Sequence, residues 1–180
     1  IYMKNKNILK IAIVTACFLL IPLIAMQFSD EVLWTFSDFI FAGVLIFGTG
    51  RTYELIAKRS GTLAYRFAVG LALLAMFLLV WINAAVGIIG SEDNPANAMY
   101  FGVSLVVFLG TIMARFKAYA MMRVMILASV VQALVPVVAF LVWKPDFNPG
   151  VMQVFILNTA FVALFVGSAL LFRQASESQQ

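Results

Sequence analysis

The sequence contains no histidine, and its 180 residues include only one cysteine, Cys17. A single cysteine cannot form an intramolecular disulfide, and without imidazole the commonest metal ligand is missing. Charged residues make up 11% of the chain, against about 25% in an average soluble domain. This composition excludes an ordinary soluble domain. We expect Cys17 to be buried and inert, and we expect no cofactor and no metal site.

Apolar residues dominate the chain, at 64% of the composition with a mean hydropathy of +1.03. The longest apolar runs approach the roughly 20 residues that a helix needs to cross a bilayer. They predict an all-α integral membrane protein, in which residues 1–180 form a single domain as a compact bundle of six transmembrane helices. The predicted helices are 8–26, 38–57, 63–90, 96–114, 121–143 and 151–172. We expect the first to be retained rather than cleaved as a signal peptide.

The short loops between these helices alternate in charge. The N-terminus, the turns at 51–66 and 115–123 and the tail hold eleven of the twelve Lys and Arg residues. The other three loops hold only Lys144, together with six of the eight acids. Because cytoplasmic loops are enriched in Lys and Arg, the pattern predicts that both termini are cytoplasmic. It also explains the net charge of +4 without a nucleic-acid partner.

The predicted helices carry no charged residue near the middle of the bilayer, and this argues against a proton-driven pump or an ion-coupled transporter. The polar groups at depth are uncharged. They are Asn83, Ser104, Thr111, Gln132 and Asn158. Two interpretations remain open: these side chains form hydrogen bonds between closely packed helices, or they line a polar cavity for a neutral or zwitterionic solute.

A second polar cluster falls in the acidic loops. Its members are Asp38, Glu92, Asp93, Asn94 and Asn97. Their oxygen atoms could bind a divalent cation, but the cluster lacks the spacing of a calcium loop. Helix capping and topology explain them more simply, with Asn94 as an N-cap ahead of Pro95.

Charged residues at the end of the second predicted helix lie three and four positions apart. Arg51, Glu54 and Lys58 are therefore predicted to form a structural ion ladder on one helix face. No nucleophile lies beside a general base, and an enzyme acting on lipid would need Asp38, Glu54 or Asp93 as its base. The sequence thus predicts a protein that is not an enzyme.

Three stretches carry a resemblance to known proteins: Trp34–Gly50, Trp81–Asn97 and Phe161–Phe172. Together they resemble an uncharacterised family of small six-span bacterial inner-membrane proteins. The resemblance implies the bacterial cytoplasmic membrane and adds no activity. The chain is also similar, in length and helix number, to the substrate-binding subunits of energy-coupling-factor vitamin transporters, whose coupling motif resembles the Ala12 and Ala16 pair.

Two functions follow as hypotheses. The first is a channel or carrier for a small neutral or zwitterionic solute, acting as a homo-oligomer. The alternative is a non-catalytic accessory or assembly subunit of a larger membrane complex. The first predicts water or solute between Asn83, Gln132 and Asn158, whereas the second predicts an interior filled by side chains.

Overall fold

The computed structural model describes residues 2–29, 31–59, 61–144 and 148–178. In these residues the chain is all-helical, with a 3-10 turn at Pro95–Ala98 and no strand. The α-helices are α1 (Tyr2–Phe28), α2 (Phe36–Ala57), α3 (Leu63–Ala85), α4 (Met99–Met113), α5 (Ala118–Trp143) and α6 (Pro149–Glu177). All six are long and apolar enough to cross a membrane when the 3-10 turn is counted with α4. The chain therefore has the architecture of a multi-pass membrane protein.

Helix α3 is shorter than the sequence predicts. It ends at Ala85 instead of Gly90, because Gly87 and Gly90 adopt left-handed backbone angles, with φ of 72° and 71°. A continuing right-handed helix cannot contain such angles. The 23 residues of α3 span about 35 Å at 1.5 Å per residue, which is close to a hydrocarbon core of about 30 Å. Asn83, Gly87 and Gly90, which a helix continuing to Gly90 would place on one face, therefore do not share a helix face.

The C-terminal segment is helical further than expected. The sixth helix predicted from the sequence ends at residue 172, but α6 continues to Glu177. An ion pair between Arg173 Nε and Glu177 Oε1, 2.9 Å apart and one turn along the helix, supports the extension. At the other end of α6, Asn148 Oδ1 accepts from the backbone N–H of Val151 at 3.1 Å, and Pro149 occupies the first turn.

The chain divides into two compact units, residues 1–55 and residues 56–180. In the first unit, α1 and α2 are antiparallel neighbours. Asn7 Nδ2 donates to Glu54 Oε1 at 2.8 Å, and a Cβ on Gly50 would lie 3.1 Å from Ile11 Cγ2. A Cβ on Gly43 would lie 3.4 Å from Leu19 Cδ1. Positions rise along α1 as they fall along α2, as antiparallel packing requires.

The second unit contains α3 to α6. Helix α5 packs against both α4 and α6, and α6 packs against α3. Ser168 Oγ on α6 donates to the Ala68 carbonyl on α3 at 2.8 Å. The core between these helices contains large side chains such as Tyr65, Leu79, Met125 and Phe165, each at most 1% exposed.

The two ends of the second unit differ in charge. Glu92 and Asp93 follow α3 at one end, which we call the acidic end. Arg59 precedes α3 and Arg115 follows α4 at the opposite end, which we call the basic end. Which end faces the cytoplasm stays a prediction from the charge pattern.

Candidate functional site

Three buried polar side chains from three helices form one network in the second unit, which we call the amide network. Asn158 on α6 is its centre, and Gln132 on α5 and Tyr100 on α4 bind to it. Gln132 Nε2 donates to Asn158 Oδ1 at 2.8 Å, and Asn158 Nδ2 donates to Tyr100 Oη at 2.9 Å. Each side chain is at most 2% exposed. The network therefore links α4, α5 and α6 inside the protein.

One atom of the amide network is unsatisfied. Gln132 Oε1 is buried and has no hydrogen-bond partner among the described residues. An acceptor left in this state costs about 1–3 kcal/mol. Asn158, by contrast, uses both ends of its amide, since its Nδ2 also donates to the Val154 carbonyl at 2.8 Å. Asn158 is therefore better satisfied than Gln132.

Asn83, the third amide residue predicted at depth, is not part of the amide network. Its Nδ2 donates to the Asn97 carbonyl at 3.4 Å, and its Oδ1 is buried without a partner among the described residues. Asn97 in turn holds the segment that follows α3. Its Oδ1 accepts from the N–H groups of Ile88 and Ile89 at 3.0 and 2.8 Å. Its Nδ2 donates to the Ser91 carbonyl at 2.7 Å.

We call residues 86–91 the clamped loop, because this one buried side chain holds it. Glycine is required at position 87, where φ is +72° and an added Cβ would lie 2.5 Å from the Ser91 carbonyl carbon and 2.7 Å from Asn97 Nδ2. The side chain of Asn97 can reach its backbone partners in this loop only because Gly87 has no Cβ in its way. The loop therefore has a specified conformation instead of being a flexible connection.

The clamped loop forms one wall of a cavity of about 540 Å³ at the acidic end of the second unit. The ends of α3 and α5 and the start of α6 form the others. Its apolar walls include Ile82, Ala139, Phe140, Trp143 and Phe155, and its polar groups include Asn94, Asn148 and Gln153. No charged side chain lines it among the described residues. Its size lies within the range of about 300–1,000 Å³ that is usual for small-molecule sites.

The cavity and the amide network are neighbours along two helices. Pro136 lines the cavity one turn after Gln132 on α5, and Leu157 lines it immediately before Asn158 on α6. The five residues predicted to line a polar cavity are not among the residues that line this one. The structure instead brings Gln132 and Asn158 together beside it.

Ser104, one of the two hydroxyl residues of the predicted layer, bonds within its own helix. Ser104 Oγ donates to the Tyr100 carbonyl at 3.2 Å, one turn earlier in α4. Thr111 is half-buried near the end of the same helix. Bonds of this kind satisfy a hydroxyl locally and connect no second helix.

The polar cluster predicted in the acidic loops contains residues of both units. Within the described residues, no three His, Cys, Asp or Glu side chains are close enough to hold a metal ion. Asn94 Oδ1 accepts from the Ala96 N–H at 2.9 Å and caps the 3-10 turn. Glu92 and Asp93 are exposed. In the first unit, Asp38 Oδ2 accepts from the Thr35 N–H at 2.7 Å at the start of α2.

Two members of the predicted ion ladder lie in the first unit. Arg51 and Glu54 form an ion pair one turn apart on α2, and Glu54 also accepts from Asn7. Lys58 lies one residue beyond the end of the helix and is exposed. The expectation for Cys17 is wrong, because its side chain is exposed on α1. An apolar helix that crosses a membrane can expose a thiol to lipid without exposing it to water.

Sequence reasoning missed three features of the site. Tyr100 is absent from the predicted set of polar residues, although its hydroxyl belongs to the amide network. The polar groups of the cavity, Asn148 and Gln153, were assigned to a loop and an ordinary helix. The clamp was also missed, and its signal is the pair of glycines at 87 and 90 followed by asparagine, an arrangement that marks a turn.

Comparisons with known proteins identify no relative. No protein-family model matches the chain, no curated protein matches it, and no solved structure matches it. The function is therefore inferred from the geometry of the cavity and its surroundings.

Proposed function

We propose that the protein is a membrane carrier that binds a small uncharged solute in the cavity at the acidic end. The observation that carries the proposal is the cavity itself, with about 540 Å³ of space, apolar walls and a few amide groups. Binding sites for small molecules commonly combine apolar walls with few polar groups that fix orientation.

The chemistry of the lining favours an uncharged solute over a zwitterionic one. An ion in a site of low polarity needs a paired charge, and the described lining offers amides and backbone groups instead. Asn94 and Gln153 could exchange hydrogen bonds with a hydroxyl or carboxamide, while Phe140 and Phe155 could contact an apolar ring or chain. We infer a solute that has both kinds of surface.

The amide network supports a carrier over an open channel. Tyr100, Gln132 and Asn158 fill the space between α4, α5 and α6 next to the cavity, and they are bonded to each other. A channel would need a continuous water-filled path, whereas a carrier needs a site that is open on one side at a time. Transport by this protein would therefore include a rearrangement of helices around the network.

Uptake into liposomes tests the proposal. Purified protein would be reconstituted, and entry of radiolabelled glycerol, nicotinamide and uridine would be compared with entry of nicotinate, the anionic counterpart of nicotinamide. We expect saturable uptake of at least one uncharged solute and none of nicotinate. Ala139→Phe should abolish it by filling the cavity, since Ala139 lines it and is 6% exposed.

Ala133→Phe is the matched control, because Ala133 is an exposed residue on the same helix. It makes the same change in size outside the cavity and should leave uptake intact. If no uncharged solute enters faster than into empty liposomes, or if Ala139→Phe transports as the parent protein does, the proposal is wrong.

A second candidate is an accessory subunit of a larger membrane complex. The filled, hydrogen-bonded interior at the amide network favours it, because such packing gives a rigid body without a path through it. Gentle extraction followed by crosslinking should then recover a stoichiometric partner, and Ala139→Phe should not release it. Recovery of the protein without a partner at native expression levels would contradict this role.

A further inference from the structure

The basic end of the second unit carries an excess of positive charge, and at the C-terminal end of α6 Glu177 pairs with Arg173. Between Ile56 and Lys144 the only acidic residues are Glu92 and Asp93, which lie beyond the far end of α3. Six cations in the loops and helix ends around α3, α4 and α5 lie at or near the basic end, and all are exposed. They are Lys58, Arg59, Arg66, Arg115, Lys117 and Arg123. We call this set the basic surface.

Two loops that are distant in sequence are joined at this surface. The guanidinium carbon of Arg59, before α3, lies 5.0 Å from the centre of the Phe116 ring, after α4. This is a cation–π contact, which orients the guanidinium group. Tyr65 Oη donates to the Phe116 carbonyl at 2.7 Å, so α3 also holds the second loop.

The junction is anchored in the protein core. The Tyr65 side chain is 1% exposed, and its ring contacts that of Phe172 edge-on at 5.2 Å. Arg115 and Phe116 adopt left-handed backbone angles, with φ of 49° and 62°. Residues other than glycine rarely adopt such angles. Contacts from Tyr65 and Arg59 therefore hold an unusual turn, on whose backbone Arg115 and Lys117 lie.

Exposed apolar side chains lie close in sequence to the cations of the basic surface. Leu63, Phe67, Met113 and Tyr119 are between 63% and 83% exposed, and they belong to helices long and apolar enough to cross a membrane. Cations at the ends of such helices lie at the depth of the lipid headgroups. A soluble anion would contact only the cations. A phospholipid would contact the cations with its headgroup and the apolar side chains with its acyl chains.

We propose that the basic surface binds the headgroups of anionic phospholipids. Arg59, Arg115 and Lys117 contact the phosphate groups, and the acyl chains lie against the exposed side chains of α3, α4 and α5. Because lipid and solute would bind at opposite ends of the second unit, the proposal does not depend on transport or on the cavity.

The test measures lipid selectivity of the full-length protein in phosphatidylcholine membranes. Spin-labelled phosphatidylglycerol and phosphatidylcholine would be added separately, and the relative association constant at the protein surface would be determined. We expect a several-fold preference for phosphatidylglycerol that weakens with salt. The triple variant Arg59→Gln, Arg115→Gln, Lys117→Gln should bring the ratio close to one.

Lys144→Gln is the matched control, because Lys144 is an exposed cation directly after α5, at the acidic end of the second unit. It should keep the preference. If the triple variant fails to fold, Lys117→Gln alone should lower the preference up to about fivefold, the effect expected of one interfacial cation.

Three outcomes would overturn the proposal. The first is equal affinity of the parent protein for both lipids. The second is an equal loss in Lys144→Gln and in the basic-surface variants. The third is displacement of phosphatidylglycerol by millimolar inorganic phosphate, which would make the site one for a free anion instead of a lipid.

Discussion

Asn97 is a single side chain that determines the conformation of a whole loop. It is 4% exposed, and its amide accepts from two backbone N–H groups and donates to the carbonyls of Ile89 and Ser91. Backbone groups that are buried outside regular structure need such partners. Because the clamped loop forms one wall of the cavity, the shape of the proposed binding site depends on this residue.

We therefore predict that Asn97→Ala lowers the free energy of unfolding by about 2–4 kcal/mol, since the N–H groups of Ile88 and Ile89 lose their acceptor. Thermal unfolding of the purified protein in detergent would measure the change. Thr159→Ala is the control, because that hydroxyl is exposed and binds only the Phe155 carbonyl of its own helix. Equal stability of the two variants would contradict the clamp.

The amide network offers a second prediction at this scale. Asn158→Leu keeps the side-chain size but leaves Gln132 Nε2 and Tyr100 Oη without their partner, so we expect a loss of about 2–3 kcal/mol. Gln132→Leu also removes the unsatisfied Oε1, and we expect it to change stability by less than about 1 kcal/mol.

Unfolding of both variants and of the double variant in detergent would test this order. If Gln132→Leu proves the more damaging of the two, Gln132 Oε1 has a donor that the network does not include. Water bound beside the cavity would be one such donor, and that result would favour a wet interior.

At the scale of the helices, close approach depends on small residues. A Cβ on Gly110 of α4 would lie 2.7 Å from Val124 Cγ1 of α5, closer than real side-chain contacts. On the same helix, a Cβ on Gly102 would meet no atom within 4 Å. Close packing of α4 against α5 therefore requires glycine at position 110 but not at position 102.

Gly110→Ala should therefore destabilise the protein by about 1–3 kcal/mol through overpacking. Gly102→Ala should stabilise it by about 0.5–1 kcal/mol, because alanine is the better helix former. Adding Val124→Ala to Gly110→Ala should restore part of the loss by removing the clashing methyl groups. Chemical denaturation in mixed micelles would measure all three, and a harmless Gly110→Ala would show that α4 and α5 can move apart at no cost.

The helices also show which parts of the fold could be predicted from the sequence. Apolar runs predict six helices because apolar length is a local property, and the structure confirms the all-helical class with six helices able to span a membrane. The end of α3 was placed too late because apolar residues continue through Ile88 and Ile89. The left-handed angles at Gly87 and Gly90 end it, and Asn97 holds this segment through contacts across eight and nine positions, a longer spacing than helical periodicity reveals.

The site was harder to predict for the same reason. Gln132 and Asn158 were recognised as buried amides from their helices alone, but their pairing depends on how α5 packs against α6. The cavity joins the ends of three helices, and no local pattern states which residues meet there. The prediction of assembly into homo-oligomers stays untested.

At the scale of the whole molecule, the second unit has two ends that differ both in charge and in the candidate site that each carries. The basic surface and the cavity lie at opposite ends of the second unit, so the orientation in the membrane decides which side each of them faces. Phospholipid headgroups are available on both sides, but cytoplasmic leaflets commonly carry the anionic ones. A cytoplasmic basic end would place the cavity on the opposite side, where it would meet solutes from outside the cell.

The single cysteine makes this orientation testable. In a Cys17→Ser background, Ser91→Cys places a thiol in the exposed acidic-end loop, and Ser178→Cys places one just after α6. The positive-inside rule predicts that a membrane-impermeant maleimide labels Ser91→Cys on intact spheroplasts, and labels Ser178→Cys only after permeabilisation. The Cys17→Ser parent, without a thiol, gives the background. The reverse pattern would place the cavity in the cytoplasm, and the proposed carrier would then load its solute there and export it.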